Sequence, residues 1–524
     1  MKVFWGAPGT GKTTKAISIL ADAVEEGRSI SYDTFRRNMA KDALYRLLDV
    51  VHLSKEERRY ISTTHSICFH LLGLKKKDVL TYEGFKKFCE NEGLTITLKE
   101  YELTQPIPEI DTYDTSGGAF LSLYNNCVNC MIPFDEYEKL PSYMLPAPSR
   151  FFDALWLLKN FPKLAERYEQ FKQEHRKVDF SDMLRFVYED ELSINSDVHI
   201  SDETHDKTPL QYAIFKMWTQ NCDEVYCCLD FNQRIYSFWG TNLTPLHELE
   251  SEEIEVLRVS FRLGREQYAY ARRILHSQKT PEIECKNSVI IEEQRNFLPA
   301  LRNLASSTTS IMLLARTKYQ LEHIAYLLDA EGIPIVGDPR FSWSSKELKL
   351  LSALRNLKEP SNPFRLLDEE ESELLLKALS ADAFSMEKTR IRRGKIQPLP
   401  LTARFLQLLR RDPLKLESFI LKSYLKDPTR VLKALATSYN PVKLLTIHGS
   451  KGLEADYVFL FDGITRRIQQ SIMFKEEFEN EQRVWYVGVT RARKKLIIIR
   501  SFFPPALSIP FLPSPQEVIT HASR

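Results

Sequence analysis

The sequence contains no run of about 18 apolar residues, the length a membrane-spanning helix needs, so a membrane span is excluded. Its opening stretch, MKVFWGAPGTGKTT, lacks the basic and apolar regions of a secretory leader, which predicts cytoplasmic residence, or nucleoid association in a prokaryote. Cysteine is present eight times, but only Cys127 and Cys130 form a CxxC and no second pair stands at zinc-like spacing; reduced thiols are expected rather than a metal centre. The net charge of +2 excludes a general polycation while leaving room for local basic grooves. With 43% hydrophobic and 27% charged residues over 524 positions, the composition is that of a globular chain too long for one core, and several domains are expected.

What the chain does contain is concentrated in short motifs. Lys2–Trp5 reads as a buried strand, followed at once by Gly6, Ala7, Pro8, Gly9, Thr10, Gly11, Lys12 and Thr13. This GxxxxGK[ST] pattern needs its glycines so that successive backbone N–H groups can wrap a phosphate. Lys12 would reach the β- and γ-phosphates of ATP, and the Thr13 hydroxyl would ligate Mg²⁺. An amphipathic helix carrying Ile17, Leu20 and Val24 is expected next, its positive end beneath the anion.

A P-loop needs acidic partners. The run Val198-His-Ile-Ser-Asp202-Glu203 reads as a strand ending in two carboxylates. Asp202 is expected to hold Mg²⁺, and Glu203 to orient and deprotonate the attacking water. A DE pair after a strand is common by itself, so its meaning depends on what surrounds it.

Taken in order, the remaining motifs resemble the UvrD/Rep/PcrA family of superfamily 1A DNA helicases. The resemblance is carried by Thr63-Thr-His-Ser66, Val178-Asp-Phe-Ser-Asp182, Asp202-Glu-Thr-His205-Asp206 and Asp230-Phe-Asn-Gln233 through Tyr236, Phe238 and Trp239. It continues in Ser260-Phe261-Arg262, Ser310 to Arg316, Thr446-Ile-His448 through Glu454, and Tyr486-Val-Gly-Val-Thr490-Arg491-Ala492. It spans residues 1 to about 500 in the right order, which short motifs do not achieve by chance.

The resemblance implies the roles. Gln233 would sense the γ-phosphate, with Arg262 and Arg491 as arginine fingers, Arg491 reaching from the second motor domain. Phe261 would stack on adenine, and Glu454 would contact the ribose or the facing domain. For single-stranded DNA, Tyr236, Phe238 and Trp239 would supply stacking faces, and Thr64, His65, Thr446 and His448 backbone contacts. The track would be single strands and single-strand/duplex junctions, worked by a monomer with 3′ to 5′ polarity. The alternatives are a translocase that displaces bound proteins with little unwinding, and an ATP-gated DNA clamp.

Four positions depart from the family pattern. Only five residues precede Gly6, where the family carries a base-reading glutamine further upstream, and Thr14 stands where an arginine commonly follows GKT. Weak discrimination among ATP, GTP and CTP is expected from these two. His205 replaces the glutamine of the acidic box, and Trp239 replaces an arginine placed near DNA.

The expected fold class is α/β, with two RecA-like P-loop motor domains built on parallel sheets, each carrying a mainly helical insertion. The first motor is expected over 1–70 and 176–262 with its insertion at 71–175, irregular between Thr104 and Pro148. The second is expected over 263–358 and 438–510, with a short insertion at 359–437 and a loose tail from 511 to 524. The basic run Lys388–Lys395 would be a solvated loop or a duplex contact. Strands are expected on both sides of Arg491.

Overall fold

All the pairings in the two main sheets are parallel, as the alternation of short apolar runs with helical periodicity requires. The computed structural model describes residues 1–96, 115–146, 152–276, 278–307, 309–358, 369–380, 403–418 and 427–500, with positions 425, 509 and 511–515 besides. The described residues form two compact units: 1–288 with 467–490, and 289–466 with 491–500.

The first unit is organised on a six-stranded sheet of order β3-β2-β4-β5-β1-β6. Its strands are β1 (Lys2–Trp5), β2 (Ile30–Thr34), β3 (Ile61–Thr63), β4 (Val198–Asp202), β5 (Glu224–Leu229) and β6 (Glu253–Val256). The register sets Phe4 against Cys228 and Cys228 against Asp202, so the chain leaves β1, β4 and β5 along one edge. In an open parallel sheet that carboxyl edge is where ligands bind. A two-stranded parallel pair, β7 (Val259–Gly264) and β8 (Glu284–Asn287), follows.

Helices Tyr82–Asn91, Ser116–Asn129 and Ala154–Glu174 build a separate aromatic-rich core from Phe85, Phe88, Phe120, Tyr124, Phe161 and Tyr168. Irregular structure was the expectation for part of this stretch. Ser116–Asn129 is instead a helix, capped by the Thr115 hydroxyl on the Gly118 N–H and buried almost throughout. Polar residues there misled because they cap and pack rather than face solvent. Cys127 and Cys130 lie on and just after this helix; burial pushes both thiols up to about 12.

The second unit carries the sheet β11-β12-β10-β13-β14-β9. Its strands are β9 (Ile290–Gln294), β10 (Ile311–Ala315), β11 (Ile335–Gly337), β12 (Val442–Thr446), β13 (Ala455–Phe461) and β14 (Ala492–Ile499). The described helices between 359 and 437 bury Leu374, Leu375, Phe405, Leu409, Val431 and Leu435 in the same core as Leu313, Leu444 and Phe459. They therefore do not form a lobe with a core of its own. The run Lys388–Lys395 lies outside the described residues, as does most of the tail.

Two expectations change. Residues 263–288 and 467–490 pack with the first unit. The segment before Arg491 is a helix, Lys475–Val489, where a strand was expected. It is anchored within the first unit by Gln267 Nε2 donating to the Val489 carbonyl at 2.8 Å and by Tyr486 Oη donating to Asp230 Oδ2 at 3.4 Å. Among the described residues no helix is long and apolar enough to cross a membrane.

Candidate nucleotide and nucleic-acid sites

The loop between β1 and the helix Lys12–Glu25 turns through two left-handed glycines, Gly9 (φ 75°) and Gly11 (φ 84°). Glycine adopts such angles without steric penalty. At Gly9 a second constraint applies: a Cβ would collide with Cβ of Arg262 and lie 3.0 Å from its backbone nitrogen. That close approach is held by Ser260 Oγ donating to the Pro8 carbonyl (2.8 Å) and by the Phe261 N–H donating to the Gly9 carbonyl (3.0 Å). The loop is closed from within by Lys12 Nζ on the Gly6 carbonyl (2.7 Å) and Thr10 Oγ1 on the Ala7 carbonyl (2.9 Å). Ser260 thus positions the loop, a role its neighbour Arg262 obscured in the sequence. Phe261 itself is 70% exposed, a ring with its backbone tied to the P-loop and its face open.

The acidic box meets the loop directly. Thr13 Oγ1 donates to Asp202 Oδ2 at 2.8 Å, Tyr32 Oη donates to the same oxygen at 2.9 Å, and Oδ1 accepts the Glu203 N–H at 3.0 Å. Burial and the neighbouring Glu203 charge raise the Asp202 carboxyl above its ordinary value. Two hard oxygen donors in contact, one a buried carboxylate lifted by desolvation, suit a small divalent cation. Thr13 and Asp202 fit Mg²⁺ on that ground. Tyr32 was not foreseen; its only signal was a tyrosine inside a fully buried strand.

Glu203 is left-handed (φ 59°), an angle that costs a non-glycine residue energy and must be enforced by its surroundings. His205 stands beside it. Its Nε2 lies 3.1 Å from Glu203 Oε2, and its Nδ1 accepts the Asp230 N–H at 3.2 Å. Asp230 in turn accepts from Gln233 Nε2 at 2.8 Å. Glu203, His205, Asp230 and Gln233 therefore form one continuous set of contacts in the first unit, and Asp230 is a further residue the sequence did not single out. Thr14 Oγ1 accepts from Arg46 Nη2 at 2.8 Å, so a guanidinium from the helix Arg37–Leu48 stands beside the position where the family's arginine is missing.

In the second unit, Glu454 and Arg491 immediately precede the paired strands β13 and β14, with Ala455 opposite Ala492. Arg491 is 1% exposed and donates from Nη1 to the Leu453 carbonyl at 3.3 Å; Glu454 faces Arg493 at 3.4 Å.

The expected DNA contacts divide by burial. Tyr236 is 1% exposed, stacked on Phe35 at 5.0 Å with its hydroxyl accepting from Arg36. Trp239 is buried as well. Tyr236 is a core ring in this structure rather than an open stacking face, because Phe35, just after β2, covers it. Phe238 keeps partial exposure and meets Tyr236 edge-on at 6.0 Å. Thr64 is buried, donating to Asp33 Oδ2 at 2.6 Å. Thr446 Oγ1 accepts the Gly449 N–H at 3.0 Å, and His448 is buried in the turn that follows. His65 remains half-buried; burial, then Arg37 and Lys207, lower its imidazole to about 4, so it is neutral at neutral pH.

A parallel sheet with a glycine-built phosphate loop after β1 and a Thr–Asp contact beneath it defines a RecA-like P-loop nucleoside triphosphatase. Two family models match the chain: the UvrD/REP helicase N-terminal domain over residues 3–253, and the UvrD-like helicase C-terminal domain over residues 376–501. Together they cover well over half of it, and the chain belongs to the UvrD/Rep helicase family, a family of ATP-dependent enzymes. Similar proteins include probable DNA helicase II homologues of Mycoplasma pneumoniae (22% identity) and Mycoplasma genitalium (24%). Each match covers 95% of this chain and 82% of the relative. The ATP-dependent DNA helicase UvrD2 of Mycobacterium tuberculosis is 26% identical over 57% of this chain and 46% of its own length.

Proposed function

We propose that the chain is a DNA-dependent ATPase that moves 3′ to 5′ along single-stranded DNA and opens duplex ahead of it. The observation that carries the reading is the unbroken contact path Thr13–Asp202–Glu203–His205–Asp230–Gln233 along one edge of the first sheet. It joins the phosphate loop to the segment bearing the partly exposed Phe238.

The residues divide the work. The loop from Gly6 to Gly11 presents its backbone N–H groups, Pro8 excepted, to the phosphates, and Lys12 adds a cation. Thr13 and Asp202 would hold Mg²⁺, which when bound neutralises charge on the β- and γ-phosphates. Glu203 accepts the proton of the attacking water, fixed in place by its strained backbone and by His205. Arg262, beside Gly9, supplies positive charge to the γ-phosphate in the transition state. Phe261 offers its open face to the base. On the DNA side, Phe238 stacks a base and His65 contacts the strand as a neutral donor, a contact that can be released at every step. Single strands and junctions are the proposed partners.

A second reading, a translocase that displaces bound proteins and unwinds little, is favoured by one observation. The described part of the second insertion has no core apart from that of its own sheet. Strand-displacement assays on 3′-tailed, 5′-tailed and blunt duplexes test polarity and unwinding together. Unwinding of the 3′-tailed substrate alone supports the first reading; protein displacement without unwinding supports the second. Glu203→Gln should abolish DNA-stimulated ATP hydrolysis by about 100-fold or more while leaving nucleotide binding intact. Full activity in that variant would overturn the assignment of the base.

A further inference from the structure

The end of β2 holds a buried ion pair that the nucleotide chemistry above does not use. Asp33 is fully buried, and its Oδ2 accepts from both Lys207 Nζ and Thr64 Oγ1, the latter at 2.6 Å. Its Oδ1 faces His199 Nε2 at 3.2 Å, and His199 Nδ1 meets Ser31 Oγ at 2.7 Å. Lys207 Nζ lies 3.5 Å from Thr64 Oγ1. A buried pair of this kind recovers its desolvation cost only with near-complete hydrogen bonding, and an apolar pair would often be as stable. Its presence therefore calls for a reason other than stability.

The connections on either side of the pair give one. Lys207 follows the short turn Thr204–Asp206, and its N–H donates to the Thr204 carbonyl at 3.2 Å, so it is strapped to the turn that holds His205 against Glu203. Its carbonyl accepts from Thr244 Oγ1 at 2.6 Å, which fixes the backbone from the other side. Across the pair, Thr64 opens the helix Thr64–Leu71 and immediately precedes His65. Two residues beyond Asp33, Phe35 stacks on Tyr236, which touches Phe238. Both proposed DNA-facing groups of the first unit, His65 and Phe238, are therefore reached from the end of one strand, and the acidic box reaches that strand end through Lys207.

We propose that Asp33 and Lys207 are positioning residues: a buried clasp that transmits the state of the Glu203–His205 turn to the strand-contacting segment at Thr64–His65. The inference rests on the reading of His65 as a DNA contact. Displacement of the turn moves Lys207, the charge pair carries Asp33 with it, and the hydroxyl of Thr64 follows because Oδ2 is shared. Neutralising both partners removes the charged link while leaving polar and apolar groups of similar size in place.

The test is the double variant Asp33→Asn/Lys207→Met in the full chain, beside Asp33→Asn alone, with circular dichroism and thermal unfolding as controls. ATP turnover is measured without DNA and with saturating oligo(dT), and oligo(dT) affinity with and without a non-hydrolysable ATP analogue. The expected result is basal turnover within about twofold of wild type, with stimulation by oligo(dT) reduced roughly tenfold and the analogue-dependent change in DNA affinity lost; couplings of this size are typical between linked sites. Wild-type stimulation in the folded double variant overturns the clasp. If the double variant does not fold, the same comparison is made in Asp33→Asn, where retained stimulation is equally fatal. Failure of oligo(dT) to stimulate the wild-type enzyme is a different outcome, and sinks the DNA-motor reading itself.

Discussion

His205 Nε2 stands 3.1 Å from Glu203 Oε2 while its Nδ1 accepts the Asp230 N–H at 3.2 Å. An accepting Nδ1 leaves Nε2 as the ring's donor, as inferred from the network, and Nε2 is the nitrogen that faces the glutamate. The histidine in place of the family's glutamine thus stands against Glu203, the proposed base. His205→Ala should lower kcat for ATP about 10- to 100-fold, the usual effect of losing a supporting contact or of a small misplacement, with KM nearly unchanged. His205→Gln, which can donate but cannot reproduce both contacts of the ring, should fall between. An alanine variant with wild-type kcat would show that Glu203 is positioned by other means.

Gly9 and Gly11 are both left-handed, yet they differ in surroundings: a Cβ at Gly9 meets Arg262, and one at Gly11 meets nothing within 4 Å. Alanine at Gly11 should cost the backbone penalty alone, about 1–2 kcal/mol. Alanine at Gly9 should cost more, because β7 must move away from the loop. Thermal unfolding of the two variants without nucleotide is the appropriate comparison, since no phosphate then contributes. Equal melting temperatures would mean that the contact between the loop and Arg262 is loose in solution.

Lys172 is the hub of the helical insertion. Its Nζ donates to Asp182 at 2.7 Å, Tyr124 at 2.8 Å and Asp179 at 3.0 Å, and lies 3.2 Å from Glu169. Lys172→Met leaves these carboxylates with Arg185 as the remaining cation that contacts Glu169 and Asp182. Breaking a buried pair from one side costs about 3–5 kcal/mol, and the loss should appear in urea unfolding monitored at the tryptophans. Acidification should restore part of it, because protonated carboxyls no longer need the lysine. A variant as stable as wild type would mean that Arg185 alone neutralises the cluster.

Much of this was legible in the sequence where function is local. β1 and the phosphate loop are contiguous, and the loop's spacing points to its chemistry; β4 and its two carboxylates are contiguous too, but take their meaning from the motifs around them. The Asp33–Lys207 pair spans 174 residues and the Thr64–Asp33 bond 31, so no window of sequence displays them. The aromatic segment after Gln233 shows the same limit from the other side: three rings at similar spacing look alike until Phe35 covers one of them. Before Arg491, Val484, Trp485, Tyr486, Val487 and Val489 are all buried, which erases helical periodicity and makes a helix read as a strand.

The imidazole of His65 provides a prediction in pH. Its folded-state value of about 4 lies below the ordinary 6.5, chiefly through burial, with Arg37 and Lys207 adding repulsion. Between those values the unfolded chain binds the proton and the folded chain does not. Stability therefore rises with pH across that window, and is lost as pH falls from 6.5 towards 4. His65→Asn should flatten this part of the stability profile. Above 6.5 the ring is neutral in both states, so single-strand affinity should show no His65-dependent titration near neutral pH, and its salt dependence there should match that of the asparagine variant. A binding step centred near 6.5 that disappears in His65→Asn would instead mean that the ring contacts phosphate as a cation, and the releasable neutral contact proposed for it would have to be abandoned.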